Sequence, residues 1–266
     1  MLLAVDVGNT HTVLGVFDGD RLVDHWRLAT VAAHTADELA LLVRGLLGPR
    51  PEAGRPTPYV VTGVSMCSVV PAVLRELRSM CARYFADVPV VVIEPGVRTG
   101  MPILIDNPKE VGADRIANAL AARALVGGPA VVVDFGTSTN FDVISARGEY
   151  LGGAIAPGIE ISVEALTSRG AQLRKVELVA PRSVIGKSTV EALQSGVVFG
   201  FAGQVDGILD RMVSELGGSA TVIATGGLAP LVLSEARRLD RHEPWLTLIG
   251  LRLVFERNAA PAEATP

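Results

Sequence analysis

The sequence predicts an α/β fold made of two similar lobes, each a mixed sheet flanked by helices. Three observations predict it. Strand-like apolar runs alternate with segments of helical periodicity along most of the 266-residue chain. Hydrophobic residues make up 49% of the chain, enough to bury a sizeable core. The opening pattern also returns. Val5-Asp6-Val7-Gly8-Asn9-Thr10 aligns with Val133-Asp134-Phe135-Gly136-Thr137-Ser138 at an offset of 128 residues. The same offset sets Val16 against Ile144, Gly19-Asp20 against Arg147-Gly148, and Leu22 against Tyr150. Each half thus begins strand, Asp-x-Gly-polar-hydroxyl, strand, tight turn, strand. The period is domain-sized, which excludes a solenoid.

The elements follow in order. Residues 2–7 read as a buried strand. Runs 12–17 and 22–29 read as two more, joined by Asp18-Gly19-Asp20, because an Asp-Gly pair between apolar runs signals a hairpin. TADELALLVRGLLG reads as a helix with Thr35 as N-cap, Glu38 completing a capping box and Gly48 as stop. The Pro- and Gly-rich stretch 48–58 reads as a surface loop. YVVTGVSMCSVV is a strand, Pro71 opens a helix through Phe85, and VPVVVIEPG is a further strand. Ile116, Leu120 and Ala124 recur at helical spacing, with Asn107-Pro108 and Glu110 as the start signal and Gly127-Gly128 as the end. Strand 130–135 is followed by FDVISA and EYLGGAIA around Arg147-Gly148. Helices are expected near 159–168 and 187–216, a strand in SATVIATGG, a short helix over 228–238, and a closing apolar stretch WLTLIGLRLVF. The expected lobes are 1–108 and 109–258, with 259–266 a disordered tail.

Composition excludes several classes. The net charge is −4 and spread without blocks, so no basic face for nucleic acid is expected. Cys67 and Cys81 form no CxxC pair and make no disulfide framework; both read as small core hydrophobes. The start lacks a basic leader and reaches Asp6 early, and no apolar stretch is long enough to span a bilayer. A soluble cytoplasmic protein with no membrane partner is expected.

The two Asp-x-Gly turns carry the chemistry. A carboxylate at the end of an apolar strand is rare unless it is paired or meets a cation. The adjacent glycine lets backbone N–H groups approach an anion, and hydroxyls add donors. Such a combination suits a magnesium–nucleotide, the carboxylate attracting the metal through water and the turn cradling phosphates. The pattern GxxxxGK[ST] is absent, so a P-loop is excluded. Taken alone, Asp114-Arg115 near a helix start reads as a solvated pair favoured by the helix dipole.

DVGNTHTVLGVF, DNPKEVGADRIANA, DFGTSTNFDV and IGKSTVEALQSG together closely resemble type III pantothenate kinases over residues 1 to about 258. The resemblance implies duplicated actin-like (ribonuclease H-like) lobes. It implies ATP-dependent phosphorylation of pantothenate to 4'-phosphopantothenate, the first step of coenzyme A synthesis, by a homodimer. ATP would come with Mg2+, and a monovalent cation, K+ or NH4+, would be needed. By the resemblance, Asp6, Val7, Gly8, Asn9, Thr10, His11, Thr12 and Val13 form the ATP phosphate loop, with Asp6 holding Mg2+ through water, and Thr137 also contacts ATP. Asp114 is the general base. Gly112, Ala113, Asp114 and Arg115 bind pantothenate, whose carboxylate Arg115 can grip bidentately. Thr189 completes the neighbouring subunit's site, and Asp134 holds the monovalent cation. Ile105 stands where many members carry tyrosine, and it brings no hydroxyl there. Two other readings stay open: a different phosphotransferase or phosphohydrolase of the same superfamily, or a non-catalytic nucleotide- or pantothenate-binding protein.

Overall fold

In the computed structural model, which describes residues 1–49, 54–55, 57–169 and 176–259, the first strand β1 (Leu2–Val7) is the middle of a five-stranded sheet. It pairs antiparallel with β2 (His11–Asp18), which pairs antiparallel with β3 (Arg21–Ala29). On its other side it runs parallel to β4 (Gly63–Ser68), which runs parallel to β5 (Val90–Val92). Alternation sends Leu3, Val5 and Val7 to one face, where they join Val64 and Met66 in a core closed by α1 (Ala36–Leu47) and α2 (Pro71–Tyr84). The predicted capping box of α1 forms: Glu38 N–H donates to Thr35 Oγ1 at 3.3 Å and Thr35 N–H donates to Glu38 Oε2 at 2.8 Å. Such caps are worth about 1 kcal/mol.

The second sheet repeats the plan. Its central strand β6 (Ala130–Phe135) pairs antiparallel with β7 (Ser138–Ile144), and β7 with β8 (Tyr150–Pro157). β6 also runs parallel to β9 (Thr221–Thr225), and β9 to β10 (Arg241–His242). Read from β8, the order is third, second, first, fourth, fifth, the same as in the first sheet. Val131, Val133, Phe135 and Phe141 pack with Ile159 and Val163 of α4 (Ile159–Arg169) and with Val197, Val205 and Leu209 of α5 (Thr189–Glu215).

The duplication is real, but its offset is not constant. Val7 pairs with Thr12 across the first turn, whereas Phe135 pairs with Thr139 across the second, which is one residue shorter. The next turn compensates, because Phe17 faces Leu22 while Ile144 faces Tyr150. Val16 therefore corresponds to Val143 and not to Ile144. A register irregularity lies at Val16/Phe17 in one sheet and at Val143/Ile144 in the other, so even the bulge is duplicated.

The chain divides into two compact units. One contains Met1–Gly100, Lys109–Ala121 and the chain from Thr247 on; the other contains Met101–Pro108 and Ala122–Leu246. The single cut at residue 108 is thus replaced by a division inside helix α3 (Ala113–Val126) and a return of α6 (Leu246–Ala259) to the first unit. Side-chain size explains the return. Gly63 leaves room for the Phe255 ring, which a Cβ would meet at 2.1 Å, and Ser65 Oγ donates to Leu251 O at 2.8 Å. Gly250 lies against the Ala117 carbonyl, which a Cβ would meet at 2.0 Å, and Thr247 Oγ1 donates to Asn118 Oδ1 at 2.8 Å. So α6 and the start of α3 pack together in this unit.

Two helix expectations change. The Asn107-Pro108 signal starts only a 3-10 turn, Pro108–Glu110, and α3 begins at Ala113. The helix expected over 228–238 is a 3-10 turn, Ala229–Leu231, followed by turns. There the buried Asp206 carboxylate takes the N–H groups of Arg237 and Arg238 at 2.9 and 3.1 Å, in competition with helical carbonyls. Of the 48–58 loop, residues 50–53 and 56 lie outside the described residues, as does all of the tail beyond 259.

Candidate active site

In the first unit β1 delivers Asp6 to the turn that leads into β2. Gly8 N–H donates to His11 O at 3.0 Å, closing the turn on itself. Asn9, Thr10 and His11 are exposed, Val7 is fully buried, and Thr12 shares a 2.9 Å hydroxyl hydrogen bond with Thr30. The exposed rim of the turn is therefore residues 9–11, while Val7 and Thr12 fix its base. Val13, half-buried, pairs with Asp6 across the hairpin.

Asp6 and Asp114 belong to this same unit. Burial, and then the charge of Asp114, push the Asp6 carboxyl up to about 7, and a hydrogen bond from Cys67 pulls the other way. Asp114 sits in the first turn of α3. Its Oδ1 accepts the Arg115 N–H at 2.9 Å, and the Ile116 N–H donates to Gly112 O at 3.1 Å. Burial raises its carboxyl above the usual value, against the pull of the Arg115 N–H, of its own backbone N–H and of the Arg115 charge. The carboxylate folds back over Gly112, where a Cβ would lie 2.5 Å from Oδ1, so a glycine is required for that rotamer. Ala113 and Arg115, both half-buried, flank it.

Two carboxyl groups raised by burial, with the charge of Asp114 further disfavouring an ionised Asp6, form a place that gains from a cation. Magnesium keeps several waters and phosphate oxygens as ligands and takes only one or two carboxylates, so this donor set fits it.

Sequence reasoning missed Cys67. Cys81 is a core residue beside Leu77 and Met80, as expected, but the fully buried Cys67 donates its thiol hydrogen to Asp6 Oδ1 at 3.2 Å. The available signal was its place in a strand running parallel to that of Asp6.

In the second unit Asp134 is the penultimate residue of β6, between Asn140 and Thr225 of the neighbouring strands. Gly226, at φ +90°, lies against it; a Cβ there would come within 2.6 Å of Asp134 Oδ1. Gly136 N–H donates to Ser138 O at 3.0 Å, the counterpart of the Gly8 bond. Gly158 supports this turn from beneath, where a Cβ would meet Thr137 O at 2.1 Å. Thr137 is exposed. Thr189 is the first residue of α5, exposed, and the N-cap is Ser188, whose Oγ accepts the Glu191 N–H at 3.2 Å. Ile105 packs over Gly152, its Cγ2 3.3 Å from where a Cβ would stand.

Duplicated sheets of this order, each ending in an Asp-x-Gly turn, define the actin-like fold that sugar kinases share. Solved structures agree at the level of fold. A Campylobacter jejuni protein described as a conserved Baf family transcriptional activator is 18% identical, covering 97% of this chain and 98% of that one, with a TM-score of 0.60. A ROK hexokinase from Thermus thermophilus is 17% identical, covering 95% and 97%, with a TM-score of 0.51. Sequence is more specific. The family model for type III pantothenate kinase matches residues 2–211. The type III pantothenate kinase of Streptomyces avermitilis is 66% identical over 261 residues, 97% of this chain and 98% of its own length. The chain belongs to the type III pantothenate kinase family. As a family of kinases, it uses ATP with a divalent metal.

Proposed function

We infer that this chain phosphorylates pantothenate with ATP to give 4'-phosphopantothenate, the entry step of coenzyme A synthesis in the cytoplasm. Membership in the family supports the reaction, and one structural observation supports the assignment of roles: Asp114, half-buried at the first turn of α3 with its carboxyl raised, lies within electrostatic reach of Asp6. Phosphoryl transfer asks the protein mainly for positioning and charge neutralisation. Asp114 takes the proton of the pantothenate hydroxyl as that oxygen attacks the γ-phosphorus. Its raised pKa makes it a stronger base than an ordinary aspartate. Arg115 holds the pantothenate carboxylate, with Gly112 and Ala113 beneath it. Residues 7–13 receive the ATP phosphates, and Asp6 orients the waters of the magnesium ion. When bound there, that ion would supply charge neutralisation at the transferring phosphate.

In the second unit, Asp134 holds K+ or NH4+ and Thr137 contacts ATP. Thr189 serves the site of a second copy. Val184, Ile185 and Val190, all exposed and near it in the chain, support this reading, since exposed apolar side chains gain from being covered. The test is a coupled assay with pantothenate and a panel of hexoses, in ATP and Mg2+, with K+ or NH4+ present or absent. Turnover of pantothenate alone, stimulated by the monovalent cation, is expected. Turnover of a hexose with none of pantothenate would select another kinase of the fold.

A further inference from the structure

We propose that Cys67 is a positioning residue for the kinase reaction: its buried thiol orients the Asp6 carboxylate by hydrogen-bonding one oxygen and leaving the other for the waters of the nucleotide's metal. The inference deepens the reading of Asp6 given above and rests on it.

The register carries the geometry. β1 and β4 run parallel, with Ala4 beside Ser65 and Asp6 beside Cys67. Val64 and Met66 face the helical core, so Ser65 and Cys67 face the other way. Both are fully buried and both donate: Ser65 Oγ to Leu251 O at 2.8 Å, and Cys67 Sγ to Asp6 Oδ1 at 3.2 Å. A carboxylate with both oxygens loose would turn about its terminal torsion, which is broad for aspartate. Tying Oδ1 removes that freedom and fixes the direction of Oδ2. A thiol is a weak donor, so its value is in orientation more than in binding strength.

Three variants separate donation from volume. Cys67→Ser keeps a donor, Cys67→Val keeps bulk without one, and Asp6→Asn reports on Asp6 itself. The readout is calorimetric binding of magnesium with a non-hydrolysable ATP analogue, alongside the kcat and KM for MgATP. Val at 67 should weaken binding roughly 3- to 10-fold, the scale of one modest hydrogen bond, while Ser restores most of it. Cys67→Val binding like the wild type, or Cys67→Ser failing as badly as Cys67→Val, would overturn the proposal. Asp6→Asn binding as tightly as wild type would instead overturn the reading of Asp6. A second readout follows the wild-type enzyme itself. The infrared S–H band assigned by the difference between wild type and Cys67→Ser should shift when the magnesium–nucleotide binds to the wild-type enzyme, because its acceptor gains a new partner. A band that does not move contradicts the proposal.

Discussion

Replacing Asp6 by Asn should stabilise the nucleotide-free protein at neutral and alkaline pH. In the folded protein Asp6 titrates near 7, against an ordinary 3.8, because burial and the Asp114 charge disfavour its ionised form. The folded state therefore binds that proton more tightly than the unfolded chain does. The stability contributed is complete below about pH 4 and is lost as pH rises through 7. A difference of about 3 pH units corresponds to about 4 kcal/mol, and the residual solvent contact of Asp6 reduces this to roughly 2–3 kcal/mol. Asn carries no charge to bury and accepts the same Cys67 hydrogen bond. At 2–4 °C per kcal/mol for a chain of this size, Asp6→Asn should melt about 5–10 °C above wild type at pH 8. The gap should close toward pH 5. Thermal melts across pH 5–8 without nucleotide or metal test this, and magnesium with ATP should raise the wild type selectively. Melting curves that stay parallel across the range, or an Asn variant that is less stable throughout, would refute the burial argument.

Other outcomes follow from the same geometry. Gly158→Ala places a methyl group where the Thr137 carbonyl stands, so the second turn must move; about 1–3 kcal/mol of stability should be lost, read by urea unfolding, with activity falling further. Asp134→Asn should abolish stimulation by K+ or NH4+ in steady-state assays while leaving the fold intact; retained stimulation would move the cation elsewhere. Thr189→Ala is exposed and is not the N-cap, so stability should change by less than about 0.5 kcal/mol. Its KM for pantothenate should nevertheless rise, and an unchanged KM would remove Thr189 from the site.

Most strands and the α1 cap were legible because apolar alternation and the Thr35–Glu38 spacing are local signals. The duplication was legible too, but its constant offset was a coincidence of two opposite one-residue changes in successive turns, which only the strand register separates. The expected helix over 228–238 gave way to a long-range competitor, since Asp206 lies far away in sequence and captures two of its N–H groups. The return of α6 to the first unit depends on Gly63, Ser65 and Gly250 meeting α6 or α3, contacts that no local pattern records. At the site, Asp6 stood out as a carboxylate ending an apolar strand. Asp114 reads locally as an ordinary helix-start residue, and its partial burial is set by the tertiary fold. Cys67 passed as a core residue because a buried thiol reads as apolar; its role rests on a strand pairing that sequence spacing does not reveal.

The most direct test is a single-turnover measurement of 4'-phosphopantothenate formation by wild type and Asp114→Asn, with both melting curves recorded. Loss of the base should slow the chemical step by about 10²–10⁴-fold with the melting temperature at or above that of wild type, since a burial-raised carboxyl has been neutralised. A variant that forms the product at a near wild-type rate would contradict the assignment of Asp114 and, with it, the account of how this site transfers phosphate.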